Sequence, residues 1–221
     1  MAERKARASS IPSQRGEPVR QRVIQAAERL LRQGKAEFSM RELAAEAEVS
    51  FSTPFNQFGS KAAVMHAISA RRVELMTDRF RESALPTDAL ERVLMASDTA
   101  ASVMLEEPVV NRSVMGWLGT VSPAAGTALA RSEAFWSLAL GKEACPALAG
   151  NEQPDRSLPR QLAFGFRGVL SFWTAGELAD DELAGSAREV ARAILLGAAK
   201  PQLGAGGEAL QPLPWACHDE V

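Results

Sequence analysis

Several residue types are scarce in this chain, and each scarcity closes a route. Tyrosine is absent. Cysteine occurs only at Cys145 and Cys217; such usage reads as two unpaired thiols in a reducing cytoplasm rather than a disulfide framework. Histidine occurs only at His66 and His218. No Cys/His cluster therefore stands at metal-ligand spacing, and neither a metal nor another cofactor is expected. No apolar run approaches the ~18 residues of a membrane span. The N-terminal MAERKARASSIPSQRGEP has no apolar h-region of a secretory signal. The expectation is a cytoplasmic protein with no membrane partner. No stretch alternates apolar and polar residues as a strand does, and no internal repeat is visible. A nucleophile beside a base, a metal cluster or a phosphate loop would mark an enzyme, and none stands out. Glu106-Glu107 and Asp180-Asp181 read as solvated helix ends.

What is present is charge, segregated along the chain. The net of −2 over 221 residues conceals a basic N-terminal third, residues 1–61, on an acidic remainder. Such a distribution suggests a face meant for a polyanion. The length suits one large or two small domains with a proper core.

Helical spacing recurs throughout, and the fold class it predicts is all-α. Residues 1–17 read as a disordered basic arm carrying Arg4, Lys5, Arg7 and Arg15. Pro18 suits the first turn of a helix on which Val23, Ala27, Leu30 and Leu31 repeat, and Gly34 ends it. A long helix from Lys61 to near Pro86 spans ~30 Å and joins a head to a body. Thr87 is expected to cap the next helix. Pro108 opens a short one through Trp117 and Leu118. Ser122-Pro123 reads as the cap of a helix carrying Leu129, Phe135, Trp136 and Leu140, which Cys145-Pro146 ends or kinks. After a polar loop from Gly150 to Pro154, the two segments Leu158–Gly176 and Asp180–Ala199 are the most apolar. The Gly- and Pro-rich stretch 201–221 reads as a flexible tail.

The densest information lies between Ser39 and Ile68. Ser39 followed by Glu42 is a capping-box pattern. Leu43, Ala44 and Ala47 share a face, Val49 plugs a turn, and Ser50 is placed to cap the next helix. Phe55 and Phe58 are spaced to pack inward. Ser60 caps a third helix whose inner face carries Val64, Met65 and Ile68. Two short helices around a turn, the second polar on its outer face, describe a helix-turn-helix.

Ile24, Ala26-Ala27, Leu30, Gly34, Phe38-Ser39-Met40, Leu43-Ala44, Ala47, Val49-Ser50, Thr53, Phe55, Phe58 and Ser60-Lys61 stand in one register over about fifty residues. In this register the chain resembles the DNA-binding domain of TetR-family bacterial transcriptional repressors. Three positions depart from the family pattern. Phe55 stands where Tyr is common, Glu48 where the turn usually has Gly, and Pro54 inside the recognition helix where an aliphatic residue is usual. Counted from Ser50 as cap, Pro54 is the fourth helical residue and forfeits the first intrahelical bond.

The resemblance implies a homodimer that places each recognition helix, Phe51–Phe58, in a major groove of double-stranded DNA. The operator is then near-palindromic, with half-sites ~34 Å apart. Ser50, Ser52, Thr53, Asn56 and Gln57 supply hydroxyls and amides for bases or phosphates. The Phe51 ring either touches a thymine methyl or staples the turn, and Phe55, at the family's tyrosine position, lacks the phenol's phosphate bond but keeps a ring that can pack. Ser39, Arg41 and Lys61 are the expected phosphate contacts, the last helped by the helix N-terminus. The resemblance further implies dimerisation through the last two helices, with Gly165, Gly168, Phe172, Val190, Ala191 and Ile194 at the interface. A cavity for a small apolar or amphipathic effector is expected from Met95, Met104, Met115, Trp117, Phe135, Trp136 and Phe164, with Arg131, Glu133 and Arg167 as polar anchors. The expected division is a head at 18–68 and a ligand-binding, dimerising body at 69–200. The competing reading is an all-helical protein-interaction module that no longer reads DNA.

Overall fold

The computed structural model describes residues 17–119, 126–149 and 157–198, with side chains described in the second stretch only through Gly141. The readings placed on residues 1–16, Ser122-Pro123, Gly150–Pro154 and 201–221 lie outside these residues. Among them the chain is all-α, with nine helices and no strand. They run α1 Glu17–Arg32, α2 Met40–Glu46, α3 Ser52–Phe58, α4 Lys61–Glu82, α5 Ala89–Glu106, α6 Pro108–Trp117, α7 Thr127–Ala149, α8 Ser157–Ala175 and α9 Leu183–Ala198. No described helix is long and apolar enough to cross a membrane.

The helix ends follow from local chemistry. Pro18 falls in the first turn of α1, and Gly34 closes it at φ +74°. Ser39 and Glu42 form the expected capping box around the start of α2. Ser60 Oγ accepts the Ala63 N–H at the start of α4. Asp88, not Thr87, caps α5: its carboxylate takes the Glu91 N–H at 2.9 Å, a stronger acceptor than a hydroxyl at that site. The break in α7 falls at Gly141 rather than at Cys145-Pro146. Gly141 has φ +74°, and a Cβ there would stand 2.9 Å from the Arg92 guanidinium. Arg92 donates to the carbonyls of Ala139 and Leu140 just ahead of the break. The turn therefore needs a residue without a side chain.

Two hydrophobic cores form. One gathers Val23, Leu30 and Leu31 of α1, Phe38, Leu43 of α2, and Val64, Met65 and Ile68 of α4. The same core also takes Val110 and Val114 from α6, so its membership reaches well past residue 68. The second core joins the C-terminal half of α4 to α5, α7, α8 and α9. Its spine is a chain of edge-to-face rings, Phe80, Phe135, Trp136 and Phe166, with successive centroids 6.1, 5.2 and 5.7 Å apart, the arrangement aromatic quadrupoles prefer. The buried polar residue Asn111 donates to the Val103 and Met104 carbonyls at the end of α5 and accepts from Arg72 Nε at 2.9 Å.

Candidate nucleic-acid interface and the cavity behind it

The reading surface is built on α3. Its buried residue is Pro54, the third residue of the helix. The proline's missing N–H falls in the first turn, where the Ser50 carbonyl is taken by the Thr53 N–H instead. Because Pro54 takes the inward position, Phe55 does not pack inward as its spacing suggested. It is 43% exposed, and Phe51 is 59% exposed. The two rings meet edge to face, 5.6 Å between centroids. Phe58 does turn inward, under the guanidinium of Arg20, which also donates to the Gln57 carbonyl.

Ser50 does not cap α3. The residue preceding the helix is Phe51, in αR conformation and without a side-chain cap bond. The Ser50 hydroxyl instead pairs with Thr53 Oγ1 at 2.7 Å, and its carbonyl takes the Thr53 N–H at 2.9 Å. Ser52 and Asn56 are exposed beside Phe51 and Phe55, while Thr53 and Gln57 are half-buried. Polar groups and the Phe51–Phe55 pair thus share this short helix and its approach.

The expected phosphate contacts part company. Arg41 is exposed on α2. Ser39 is exposed, but its hydroxyl is engaged with Glu42 in the capping box; the bonds from Ser39 hold the Glu42 carboxyl below its usual range. Lys61 is engaged inward. Its ammonium donates to the Ala36 carbonyl at 2.7 Å and lies over the rings of Phe38 and Trp117. Burial lowers its pKa. The N-terminus of α4 still offers backbone N–H groups at that point.

Arg20 and Arg22 escaped the sequence reading. Arg22 donates to the carbonyls of Ala47 and Glu48, both at 2.9 Å, bracing the turn between α2 and α3. Glu48 holds φ +52° there. The partners lie 25 and 26 residues away along the chain, so no local pattern announces them.

The family model for bacterial regulatory proteins of the tetR family matches residues 23–68. Over these residues the chain is similar to the DNA-binding domain of that family. Solved structures extend the likeness over most of its length. A TetR transcriptional regulator from Rhodococcus sp. RHA1 aligns with TM-score 0.67 at 21% identity, covering 81% of this chain and 97% of that one. A candidate TetR-family transcriptional regulator from Mesorhizobium loti MAFF303099 aligns with TM-score 0.50 at 15% identity, covering 84% and 98%. At these identities the likeness speaks for the fold. Among curated proteins no sequence matches the chain.

Behind this head lies a cavity of about 310 Å³ between α4, α5, α6, α7 and α8. Of the expected effector residues it brings together Met104, Met115, Phe135, Trp136, Phe164 and Arg167. Met95 packs against the body core outside the wall. Trp117 turns the other way, onto the head core. Arg131 is exposed, and Glu133 pairs with Arg160. Sequence reading missed Ser69, Val73 and Met76, although their helical spacing marks one face of α4. His66, one turn earlier on that face, has its Nε2 buried without a partner among the described residues. Burial, with Arg131 and Arg167 nearby, lowers its pKa.

Helix α6 touches both cores and the cavity. Val110 and Val114 enter the head core, Met115 lines the cavity, and Leu118 packs against both cores. Ion pairs tie the same junction. Arg72 of α4 bonds Glu107, ahead of α6, at 2.6 Å and Glu28 of α1 at 3.2 Å, while Arg32 of α1 also bonds Glu107. Burial works to raise the Glu107 carboxyl, but the two arginines outweigh it and hold it below the usual carboxylate range. Among the described residues no group of three or more His, Cys, Asp or Glu could hold a metal ion.

The expected dimer residues divide. Gly165 lets α9 pack on α8 within one subunit: a Cβ there would stand 2.7 Å from Ile194 Cδ1 and Val190 Cγ1. Val190 and Ile194 pack against the body core, and Ala191 is buried in it. Gly168 is open, and Phe172 is 59% exposed. The outward stripe is Phe164, Gly168 and Phe172 on α8 with Ala193 and Leu196 on α9, because the two helices use their other faces on each other.

Proposed function

We propose that this DNA-binding transcriptional regulator is a ligand-released repressor. It binds a near-palindromic operator as a homodimer, without enzymatic activity. The observation that carries the reading is the double membership of α6, whose neighbouring residues Val114 and Met115 face the head core and the cavity respectively. A ligand that displaces Met115 displaces the helix, and with it the seat of α1 and α4. Its binding energy is then differential between two placements of the recognition helices, which release requires.

Homodimerisation rests on the outward stripe of α8 and α9. Phe164, Phe172 and Leu196 are large apolar side chains between 54% and 64% exposed, and such a patch on one face suits an isologous two-fold contact. In the dimer, Asn56 and Gln57 reach base edges, Ser52 and Thr53 bases or phosphates, and Arg41 the backbone. The effector is apolar or amphipathic, as the cavity wall requires.

The test is selection of genomic fragments by the purified full chain, followed by footprinting. A protected, two-fold symmetric site whose affinity falls steeply with salt is the expected result. Absence of any sequence-preferring binding would remove the repressor reading. That outcome would favour the protein-interaction module, for which the exposed Phe51–Phe55 pair on α3 speaks.

A further inference from the structure

Among the described residues the cavity wall carries a cation and no carboxylate. Arg167 is its charged member; the remaining wall is apolar apart from Ser69, Ser132 and the indole of Trp136. The Arg167 guanidinium has no carboxylate partner among the described residues. Its contacts are Met115 Sδ and the Met115 carbonyl oxygen, both at 3.5 Å, the weak end of hydrogen-bond range. Other half-buried arginines are met either by a carboxylate, as Arg72 by Glu28 and Glu107, Arg112 by Asp180 and Arg188 by Asp98, or by closer backbone carbonyls, as Arg92 by Ala139 at 3.1 Å and Leu140 at 2.6 Å. The second unmet donor is Trp136 Nε1, fully buried with no acceptor among the described residues, in a side chain that lines the same cavity. His66 adds no negative charge on the α4 side, and Arg131 on α7 adds positive charge near it.

A half-buried cation without a counter-charge carries a desolvation cost that a bound anion would offset. We propose that the cavity binds an amphipathic monocarboxylate, its apolar body against Phe135, Phe166 and Leu170 and its carboxylate on Arg167. The guanidinium fork matches a carboxylate in bidentate fashion, and the Trp136 N–H offers a further donor. A cationic ligand meets an unopposed arginine. A neutral apolar ligand leaves Arg167 unmet. A polyanion such as a nucleotide meets one cation where it needs several.

The proposal names the chemical class of the effector and rests on the reading above for its regulatory consequence. It is tested by calorimetric titration of the full chain with decanoate and 4-phenylbutyrate, each against the alcohol and amine of the same body, below any micellar concentration. At least one carboxylate is expected to bind about tenfold to a hundredfold tighter than its alcohol, with its amine weaker still. Arg167→Met should bring that carboxylate down to the level of the alcohol. The same change should raise the ligand-free Tm by about 2–4 °C, since it removes a half-buried charge without a carboxylate partner. Arg167→Gln provides a second variant with the same expected loss of preference. No carboxylate binding, equal binding of carboxylate and alcohol, preference for the amine, or a preference that survives both substitutions overturns the proposal. Operator release is read separately. A carboxylate bound through Arg167 that leaves DNA binding unmoved removes the release mechanism and spares this site. Release by the alcohol but not the carboxylate does the reverse.

Discussion

The ammonium of Lys61 lies 4.7 Å from the centre of the Trp117 ring. Lys61 opens α4 and Trp117 ends α6, so one cation pins the start of the linking helix to the end of the helix that lines the cavity. Phe38, on the other side at 4.6 Å, completes the clamp. Lys61→Met should lower stability by about 1–2 kcal/mol, the value of a desolvated cation–π pair and one hydrogen bond. Because the ammonium points inward, the slope of log K against log salt should not change. Arg41→Ala should reduce that slope by about one. Urea denaturation and DNA titrations at several salt concentrations check both halves.

Glu48 holds a left-handed conformation in the helix-turn-helix turn, where a Cβ is unfavourable. Glu48→Gly should stabilise the chain by about 0.5–1 kcal/mol, after allowance for the greater freedom of glycine in the unfolded state. A higher urea midpoint with unchanged DNA affinity is the expected pair of results.

Two glycines three residues apart on α8 should behave oppositely. Gly165→Ala drives a methyl into Val190 and Ile194 and should cost about 1–3 kcal/mol. Gly168→Ala meets open space in the subunit and should gain up to about 1 kcal/mol of helix propensity. Phe172→Glu should leave the fold intact while sedimentation shows the monomer.

His66 makes stability depend on pH. Burial first, then Arg131 and Arg167, push the imidazole below its ordinary 6.5. Between that lowered value and 6.5 the unfolded chain binds a proton that the native chain refuses. The contribution is therefore complete above 6.5 and lost as pH falls through the native value. Urea midpoints from about pH 5 to 8 should fall on the acid side, and His66→Gln should flatten the fall.

Asn56 is exposed on the reading face of α3. Asn56→Ala should weaken the selected operator by about 1–3 kcal/mol and random DNA much less. Equal losses on both would place Asn56 on the phosphate backbone instead.

The parts legible in the sequence are those governed by neighbours a few residues apart. The capping box at Ser39 and Glu42, the cap at Ser60, the glycine stop at Gly34 and the inner face of α4 all act within one or two turns. Competition between neighbours defeated the reading twice. Pro54 took the buried place that spacing assigned to Phe55, and the carboxylate of Asp88 took the cap assigned to Thr87. Long-range relationships were out of reach of periodicity. Trp117 is aromatic and helical, but only the fold shows that it faces Phe38 and Lys61 rather than the cavity. Gly165 was legible as a site of close approach; its partner proved to be α9 of the same chain.

The sharing of α6 bears on how the chain folds and how it can be divided. A fragment ending after α4 would keep the family's matched residues yet lose Val110 and Val114, two buried members of the core that α1 and α4 share with α6. The head is thus not a transplantable module. Its melting is coupled to that of the body, and one cooperative transition should be seen where two domains suggest two.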